Sequence, residues 1–330
     1  MSNSNTGDAG EQRRQKDKRK LNELKNQILD SEKCRKCPDE EWADEKKTTC
    51  INKALEYLSF AEDNLSLVFS IISLLGAIIT AIFLRVFIFY WDTPVVKANN
   101  RTVSIILLAS ILLSFLSIFL FLGRPVDTTC MLRQTLFGVI FSISVSCILA
   151  KTIVVCIAFK STKPGSPWKK WVGRKLSNYV VFICSSVQVL ICSIWLSVSP
   201  PYQEYDMSFH PGKIIIQCNE GSVIGFYSVL GYMGFLAAVS FLLAFMVRTL
   251  PDIFNEAKYI TFSMLVFCSV WIAMIPAYLS TRGKYMVAVQ IFAILASSAG
   301  FLSCIFFPKL IIILLKPELN TRQVLLKPNK

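Results

Sequence analysis

The chain has 330 residues and a net charge of +13; 53% of its residues are hydrophobic and only 17% are charged. Soluble domains are less apolar and carry about a quarter charged residues, which argues against a soluble globular protein. The excess positive charge lies beyond residue 64, in short stretches between long apolar runs. This is the pattern of a polytopic membrane protein rather than of a nucleic-acid-binding protein.

The amino-terminal region is polar. Residues 1–33 have few apolar anchors and are predicted to form a disordered tail. Cys34, Cys37 and Cys50 follow within seventeen residues. A zinc site would lack its fourth ligand there, so disulfides on an outer surface are expected, with the pairing left open. No signal peptide is visible before the first span.

Seven apolar runs each supply the ~20 residues with which an α-helix crosses ~30 Å of hydrocarbon. They are continuous rather than alternating, which favours helices over barrel strands. The predicted spans cover residues 65–89, 102–122, 131–159, 178–199, 222–247, 259–280 and 285–314. We therefore expect an all-α membrane protein, a seven-transmembrane helix bundle with a short cysteine-containing extracellular segment before it.

Basic residues predict the orientation, because short cytoplasmic loops are enriched in Lys and Arg. With the amino terminus outside, the inner segments hold fifteen basic residues and the outer loops hold four. The amino terminus is therefore expected outside and the carboxyl terminus inside. On the outer side, Cys130 opens the third span and Cys218 lies in the longest loop. A disulfide between them is expected in this oxidising environment, with two free thiols as the alternative.

Lys151 is the only charged residue in the stretch "FSISVSCILAKTIVVCIAF" of the third span. It lies 21 residues beyond Cys130, about 30 Å at the helical rise, and hence near the inner end of the span. An unpaired ammonium there costs about 2.5–3.5 kcal/mol, so Lys151 should either reach the headgroups or pair with a carboxylate. Glu256, just before the sixth span, is the acidic residue that helix packing could bring alongside. The residues alone leave both alternatives open.

Two further positions in the sixth span are notable. Trp271 and Pro276 lie in "CSVWIAMIPAYLS". Proline permits a helix kink and a large aromatic residue beside it can gate the kink angle, although plain core packing explains Trp271 equally simply. Lys309, in "FPK" at the end of the last span, is expected to anchor that helix at the inner interface. The basic loop "KSTKPGSPWKKWVGRK" could contact anionic headgroups or a partner protein.

Several long strings together are similar to one known family. They include "TPVVKANNRTVS", "CMLRQTLFGVIF", "SCILAKT", "LPDIFNEAKYITFSMLVFCSVWIAMIPAYLS" and "GKYMVAVQIFAILASSAGFLSCIFFPKLIIILLKPELNT". Over roughly residues 34–322 the chain resembles the class C G-protein-coupled receptors, and among them the vomeronasal type 2 receptors. The resemblance implies that residues 34–64 end a cysteine-rich linker module. Residues 65–315 would then be the seven-transmembrane domain and residues 316–330 a cytoplasmic tail.

The large extracellular flytrap domain that binds agonist in the family has no counterpart in the chain. We therefore expect a fragment, a truncated isoform or a mis-joined gene model, with the agonist site mostly in the missing ectodomain. A receptor fragment that does not signal is the main alternative to a working receptor.

The resemblance also implies a function. In the family, a Lys and a Glu form an ionic lock between the third and sixth helices, and a serine supports it. The matching residues are Lys151, Glu256 and Ser104. A multi-pass receptor of the plasma membrane is expected, which passes a chemosensory or pheromone signal to a heterotrimeric G protein and assembles as a homo- or heterodimer. The candidate G-protein contacts are the basic residues Lys169, Lys170, Arg174 and Arg248.

Other functions fit the sequence less well. The chain has one histidine and neither a phosphate-binding glycine loop nor a carboxylate pair within a span, so no enzyme activity, cofactor or metal site is expected. A transporter usually places ionisable residues near the bilayer midplane, and the second, fourth, fifth and sixth spans contain none. A retinal-binding protein needs a lysine midway along a helix, which the seventh span lacks between Tyr285 and Pro308. Nucleic acid is not an expected partner.

Overall fold

The computed structural model describes residues 37–38, 40–44, 49–60, 63–161, 174–207, 212–248 and 256–315. The predictions for residues 1–33, Cys34 and residues 316–330 therefore lie outside the described residues. Within the described ranges, seven helices are long and apolar enough to cross a membrane. They are α1 (Asn64–Phe89), α2 (Arg101–Leu120), α3 (Asp127–Ser161), α4 (Arg174–Val198), α5 (Val223–Val247), α6 (Glu256–Ser280) and α7 (Lys284–Leu315). Each corresponds to one predicted span, so the expected seven-helix bundle is confirmed.

Local signals in the sequence set several helix boundaries. A single helical turn (Pro94–Ala98) has its proline at the first position, where the missing N–H is not needed. Asn100 follows with a φ of 52°, a left-handed conformation that asparagine tolerates better than most residues, and it separates this turn from α2. The hydroxyl of Ser222 accepts a hydrogen bond from the Gly225 backbone N–H at 3.2 Å and so caps the start of α5.

The central helix of the bundle is α3. Of its most apolar stretch of eighteen residues, 72% is buried, compared with 28% for α1 and 22% for α4. The outer helices instead expose many large apolar side chains, as expected of surfaces that face lipid. Small hydroxyl side chains line the contact between α2 and α3, where Ser144 donates to the hydroxyl of Ser110 at 2.8 Å. Such small residues let helix backbones approach closely within a membrane.

Short strands on the extracellular side were not predicted. β4 (Tyr202–Asp206) and β5 (Lys213–Asn219) form an antiparallel pair in which Gln203 lies opposite Cys218, and β3 (Ala54–Glu56) completes a sheet in the order β3–β5–β4. The chain divides into two compact units, and the smaller one contains the described residues up to Ala54, together with Met207, Gly212 and Lys213. Its described part contains β1 (Glu41–Ala43) and β2 (Cys50–Asn52), an antiparallel pair, and a disulfide between Cys37 and Cys50.

The last helix is not regular. Within α7, the stretch Leu302–Phe306 is π-helical and joins an upper α-helical segment to a lower one (Phe307–Leu315). A π-helical turn takes up one extra residue, so the residues after it are rotated by about 100° relative to a continuous α-helix. The face that the lower segment buries therefore differs from the face that an α-helical period would give.

Candidate functional site

A single carboxylate joins three helices at the inner end of the bundle. Glu256 is the first residue of α6, and its side chain is only 12% exposed. Its Oε1 atom lies 2.8 Å from Lys309 Nζ on α7 and 3.4 Å from Lys151 Nζ on α3. Both lysine side chains are buried. Glu256 therefore pairs with two cations at once.

The turn that precedes α2 supplies the remaining acceptors. Lys151 Nζ donates to the backbone oxygen of Asn99 at 2.7 Å and to the hydroxyl of Ser104 at 2.9 Å. With Glu256, these contacts use all three donors of the Lys151 ammonium. Lys309 Nζ donates to the side-chain Oδ1 of Asn99. Asn99 thus binds one lysine through its backbone and the other through its side chain.

The hydrogen bonds explain how two cations can be buried beside one anion. A buried ion pair is stable only if its geometry is good and its remaining donors are satisfied. Here the hydroxyl of Ser104 also donates to the Asn99 backbone oxygen at 2.9 Å, and the Asn99 amide donates to the Val95 oxygen at 3.0 Å. The structure thus places Lys151, Glu256 and Ser104 together. In this arrangement the Lys151 ammonium is ion-paired with Glu256 rather than extended toward the headgroups.

Lys309 and Asn99 are the members that sequence reasoning missed. The expectation that Lys309 anchors α7 at the membrane interface is wrong, because its side chain is 7% exposed and ion-paired. The π-helical stretch just before it changes which face of the lower α7 segment turns inward, and sequence periodicity does not show that change. The sequence shows a basic residue, Lys309, directly after Pro308, but it does not show that this lysine pairs with Glu256.

Trp271 on α6 lies farther up the bundle and contacts two other helices, α3 and α7. Its indole N–H donates to the hydroxyl of Ser297 on α7 at 3.1 Å, while its ring lies 5.3 Å from the ring of Phe137 on α3. Pro276 lies five residues further along α6, inside the helix. A cavity of about 150 Å³ borders Trp271 on the extracellular side and is lined mainly by aromatic and aliphatic side chains, with Gln290 among the few polar ones.

The extracellular end is held by a covalent bond and by Glu220. A disulfide joins Cys130 on α3 to Cys218 on β5. Two residues after this cysteine, the Glu220 carboxylate accepts a hydrogen bond from the Tyr278 hydroxyl on α6 at 3.2 Å. The Glu220 backbone oxygen accepts from the Trp195 indole on α4, also at 3.2 Å. The outer loop is thereby connected to α3, α4 and α6.

The candidate partner contacts are only partly described. Lys169 and Lys170 lie outside the described residues. Arg174 is the first residue of α4. Arg248 follows α5, is exposed, and its guanidinium lies 3.6 Å from the centre of the Phe245 ring. Within the described ranges, no group of three His, Cys, Asp or Glu side chains could hold a metal ion.

Known proteins similar to the chain are receptors. A family model described as "7 transmembrane sweet-taste receptor of 3 GCPR" matches residues 60–309. The chain is 50% identical to vomeronasal type-2 receptor 26 of Mus musculus, over 90% of the chain and 35% of the relative. It is 47% identical to the extracellular calcium-sensing receptor of Homo sapiens, over 87% of the chain and 28% of the relative. The chain thus spans about a third of the length of the curated relatives that it matches.

Proposed function

Because the chain belongs to the seven-transmembrane family of class C G-protein-coupled receptors, we propose that it passes a chemosensory signal across the plasma membrane to a heterotrimeric G protein. The relatives that support a chemosensory signal are vomeronasal type-2 receptors. We propose that residues 34–64 end a cysteine-rich linker module, that residues 65–315 form the seven-transmembrane domain and that residues 316–330 form a cytoplasmic tail. Dimerisation belongs to the same proposal.

The observation that carries this proposal is the carboxylate shared at the inner end of the bundle. Glu256 holds the inner ends of α3, α6 and α7 together through Lys151 and Lys309. Moving α6 away from the other two helices would separate the carboxylate from both ammonium groups and leave buried charges unpaired. The three residues, with Ser104 and Asn99, therefore act as a lock that favours the inactive arrangement. A change of about 1.4 kcal/mol in its strength changes the ratio of the two arrangements tenfold.

Trp271 and Pro276 are proposed as the switch between the outer loop and the lock. Trp271 contacts both helices that also supply the lysines of the lock. Pro276 removes one helical hydrogen bond from α6 and gives that helix a point at which to bend. A change in the bend of α6 would move Glu256 at its inner end. Arg248, and the basic residues of the loop before α4, are the proposed contacts for the G protein.

Neutralising Glu256 tests the lock directly. The variant Glu256→Gln keeps the size of the side chain and removes its charge. We expect it to raise basal nucleotide exchange on a co-expressed G protein when it is displayed at the wild-type level. The matched control is Lys258→Gln, which changes an exposed charge two residues further along α6 and should leave basal exchange unchanged. A surface-displayed Glu256→Gln variant with wild-type basal exchange would refute the lock.

A further inference from the structure

A second site lies on the outside of the bundle, away from the lock. A groove of about 760 Å³ runs along the lipid-facing side of α2, α3 and α4. Its apolar walls come from all three helices. They include Ile106, Ile143, Val181, Phe182, Val189 and Leu190. Because the surrounding medium is lipid, an apolar groove of this kind is filled by a membrane component rather than by water.

Two polar side chains lie at the inner end of the groove without a partner. Thr102 is in the first turn of α2, and Asn178 is in the second turn of α4; both line the groove and both are exposed. In the described part of the chain, neither side chain forms a hydrogen bond. Asn178 lies about 6 Å along α4 from Arg174, at the depth where a bilayer changes from headgroups to hydrocarbon. Hydrogen-bonding groups at this depth suit the ester oxygens of a phospholipid.

The same end of the groove carries positive charge. Two cations lie near this end without lining the groove itself: Arg101 precedes Thr102 at the start of α2, and Lys175 lies three residues before Asn178 on the same side of α4. Lys175 is exposed and has no carboxylate partner among the described residues. Asp92 lies 3.7 Å from Arg101 and 3.3 Å from Lys97, and the Arg101 guanidinium lies 5.3 Å from the centre of the Trp91 ring. The Nε atom of Arg101 is buried and has no hydrogen-bond partner among the described residues.

Helix direction and loop composition add to this charge. Both α2 and α4 begin at the cytoplasmic side, so the positive ends of two helix dipoles lie at the same end of the groove. The sixteen residues 160–175 carry six basic side chains and no acidic one. The cytoplasmic leaflet of the plasma membrane is rich in anionic lipids, which such basic surfaces attract.

From this arrangement we propose that the groove binds one anionic glycerophospholipid of the cytoplasmic leaflet, of the phosphatidylserine type. Arg101 and Lys175 bind its phosphate, Thr102 and Asn178 bind its ester oxygens, and the apolar walls hold an acyl chain. From Asn178 to Ser193 the groove lining extends about 22 Å along α4, which is long enough for an acyl chain that spans the ~15 Å depth of one leaflet of hydrocarbon.

The charges and the polar groups decide between the alternatives. Two cations, one of them shared with Asp92, suit a single phosphodiester better than the several phosphates of a phosphoinositide. A sterol is uncharged and would leave Lys175 without an anionic ligand. This site shares no residue with the lock and does not depend on the proposed signalling function.

The purified full chain in nanodiscs allows a direct test. Nanodiscs contain phosphatidylcholine alone or phosphatidylcholine with phosphatidylserine, and native mass spectrometry counts the lipids that stay bound after release. We expect the wild type to retain phosphatidylserine at least fivefold over phosphatidylcholine. The double variant with Arg101→Gln and Lys175→Gln should lose this preference, while the control Lys258→Gln should keep it.

A second pair of variants tests the walls of the groove independently of charge. Ser185 lines the groove, so Ser185→Phe should fill it and reduce retention of both lipids severalfold. Val187, which faces outward on the same helix and does not line the groove, provides the control Val187→Phe. Equal retention of both lipids by the wild type, or an unchanged preference in the double variant, would overturn the proposal. Stronger retention of a phosphoinositide, or displacement of phosphatidylserine by cholesterol, would also overturn it.

Discussion

The shared carboxylate predicts an order of effects within the lock. Replacing Lys151 with Met leaves Glu256 paired with Lys309, and replacing Lys309 leaves it paired with Lys151. Replacing Glu256 with Gln removes both pairs and leaves two buried ammonium groups facing each other. Basal G-protein activation should therefore rise least for Lys151→Met, more for Lys309→Met and most for Glu256→Gln.

The distances give the magnitudes. At an effective dielectric constant of about 20, unit charges at 2.8 and 3.4 Å attract by about 6 and about 5 kcal/mol. The Nζ atoms of Lys151 and Lys309 are separated by at most the sum of these two distances, because both lie next to the same Glu256 oxygen. The two ammonium groups therefore repel each other by about 3 kcal/mol or more. Removing Lys151 thus costs at most about 2 kcal/mol of net attraction, and removing Lys309 at most about 3 kcal/mol. Both are upper bounds, because each removal also relieves the cost of burying a lysine.

These energies convert into measurable basal activity. We take the ion pairs to exist only in the inactive arrangement. A loss of about 2 kcal/mol then raises the ratio of active to inactive receptor about thirtyfold, and a loss of about 3 kcal/mol raises this ratio about a hundredfold. The assay is basal nucleotide exchange in cell membranes, normalised to surface display by an amino-terminal tag. The reasoning fails if Lys151→Met activates as strongly as Glu256→Gln, or if Lys309→Met has no effect at wild-type display.

Three further predictions concern other parts of the bundle. Cys130→Ser and Cys218→Ser should each strongly reduce surface display, because losing a native disulfide typically costs about 2–5 kcal/mol, and the double variant should be no worse than either single one. The hydrogen bond from Lys284 holds the pKa of Asp63 below its ordinary value of 3.8. Its stabilising effect is present above that ordinary value and is lost as the pH falls through the lowered pKa, so the thermal midpoint of purified protein should drop below about pH 4. The variant Asp63→Asn has no carboxylate to protonate at this position, so its thermal midpoint should fall less than that of the wild type below about pH 4. Ser297→Ala removes the acceptor of the Trp271 indole and should cost about 1 kcal/mol, seen as a lower thermal midpoint.

Each of these has a clear contrary result. Normal display of either cysteine variant would argue that the outer loop folds without its disulfide. An identical acid profile for wild type and Asp63→Asn would show that the pair with Lys284 contributes nothing. A Ser297→Ala variant as stable as wild type would mean that the indole N–H finds another acceptor or does not need one.

The sequence predicted the spans well because membrane insertion depends on local composition. All seven runs became helices, with ends that differ from the predicted ones by a few residues, as at the start of α3. The residues alone named Glu256 as a candidate partner of Lys151, because few carboxylates lie on the inner side, but they left a lysine that reaches the headgroups as the alternative. The expectation of a pair came from the family resemblance.

What the sequence did not predict depends on non-local geometry. β4 and β5 form through pairing across a loop, and their short polar and apolar stretches carry little signal alone. Lys309 reaches Glu256 only after the π-helical stretch in α7 has rotated the residues that follow. Asn99 participates partly through its backbone oxygen, which no side-chain pattern indicates. The pairing of Cys37 with Cys50 likewise needed the strands that bring them together.

The disulfide between α3 and β5 also makes part of the polypeptide a closed ring. Cys130 and Cys218 are 88 positions apart, and the ring includes the whole inner loop before α4. A protease that cuts this loop from the cytosol therefore produces two pieces that remain covalently attached on the opposite side of the bilayer. Such a nicked molecule would migrate as one species on a non-reducing gel and as two after reduction.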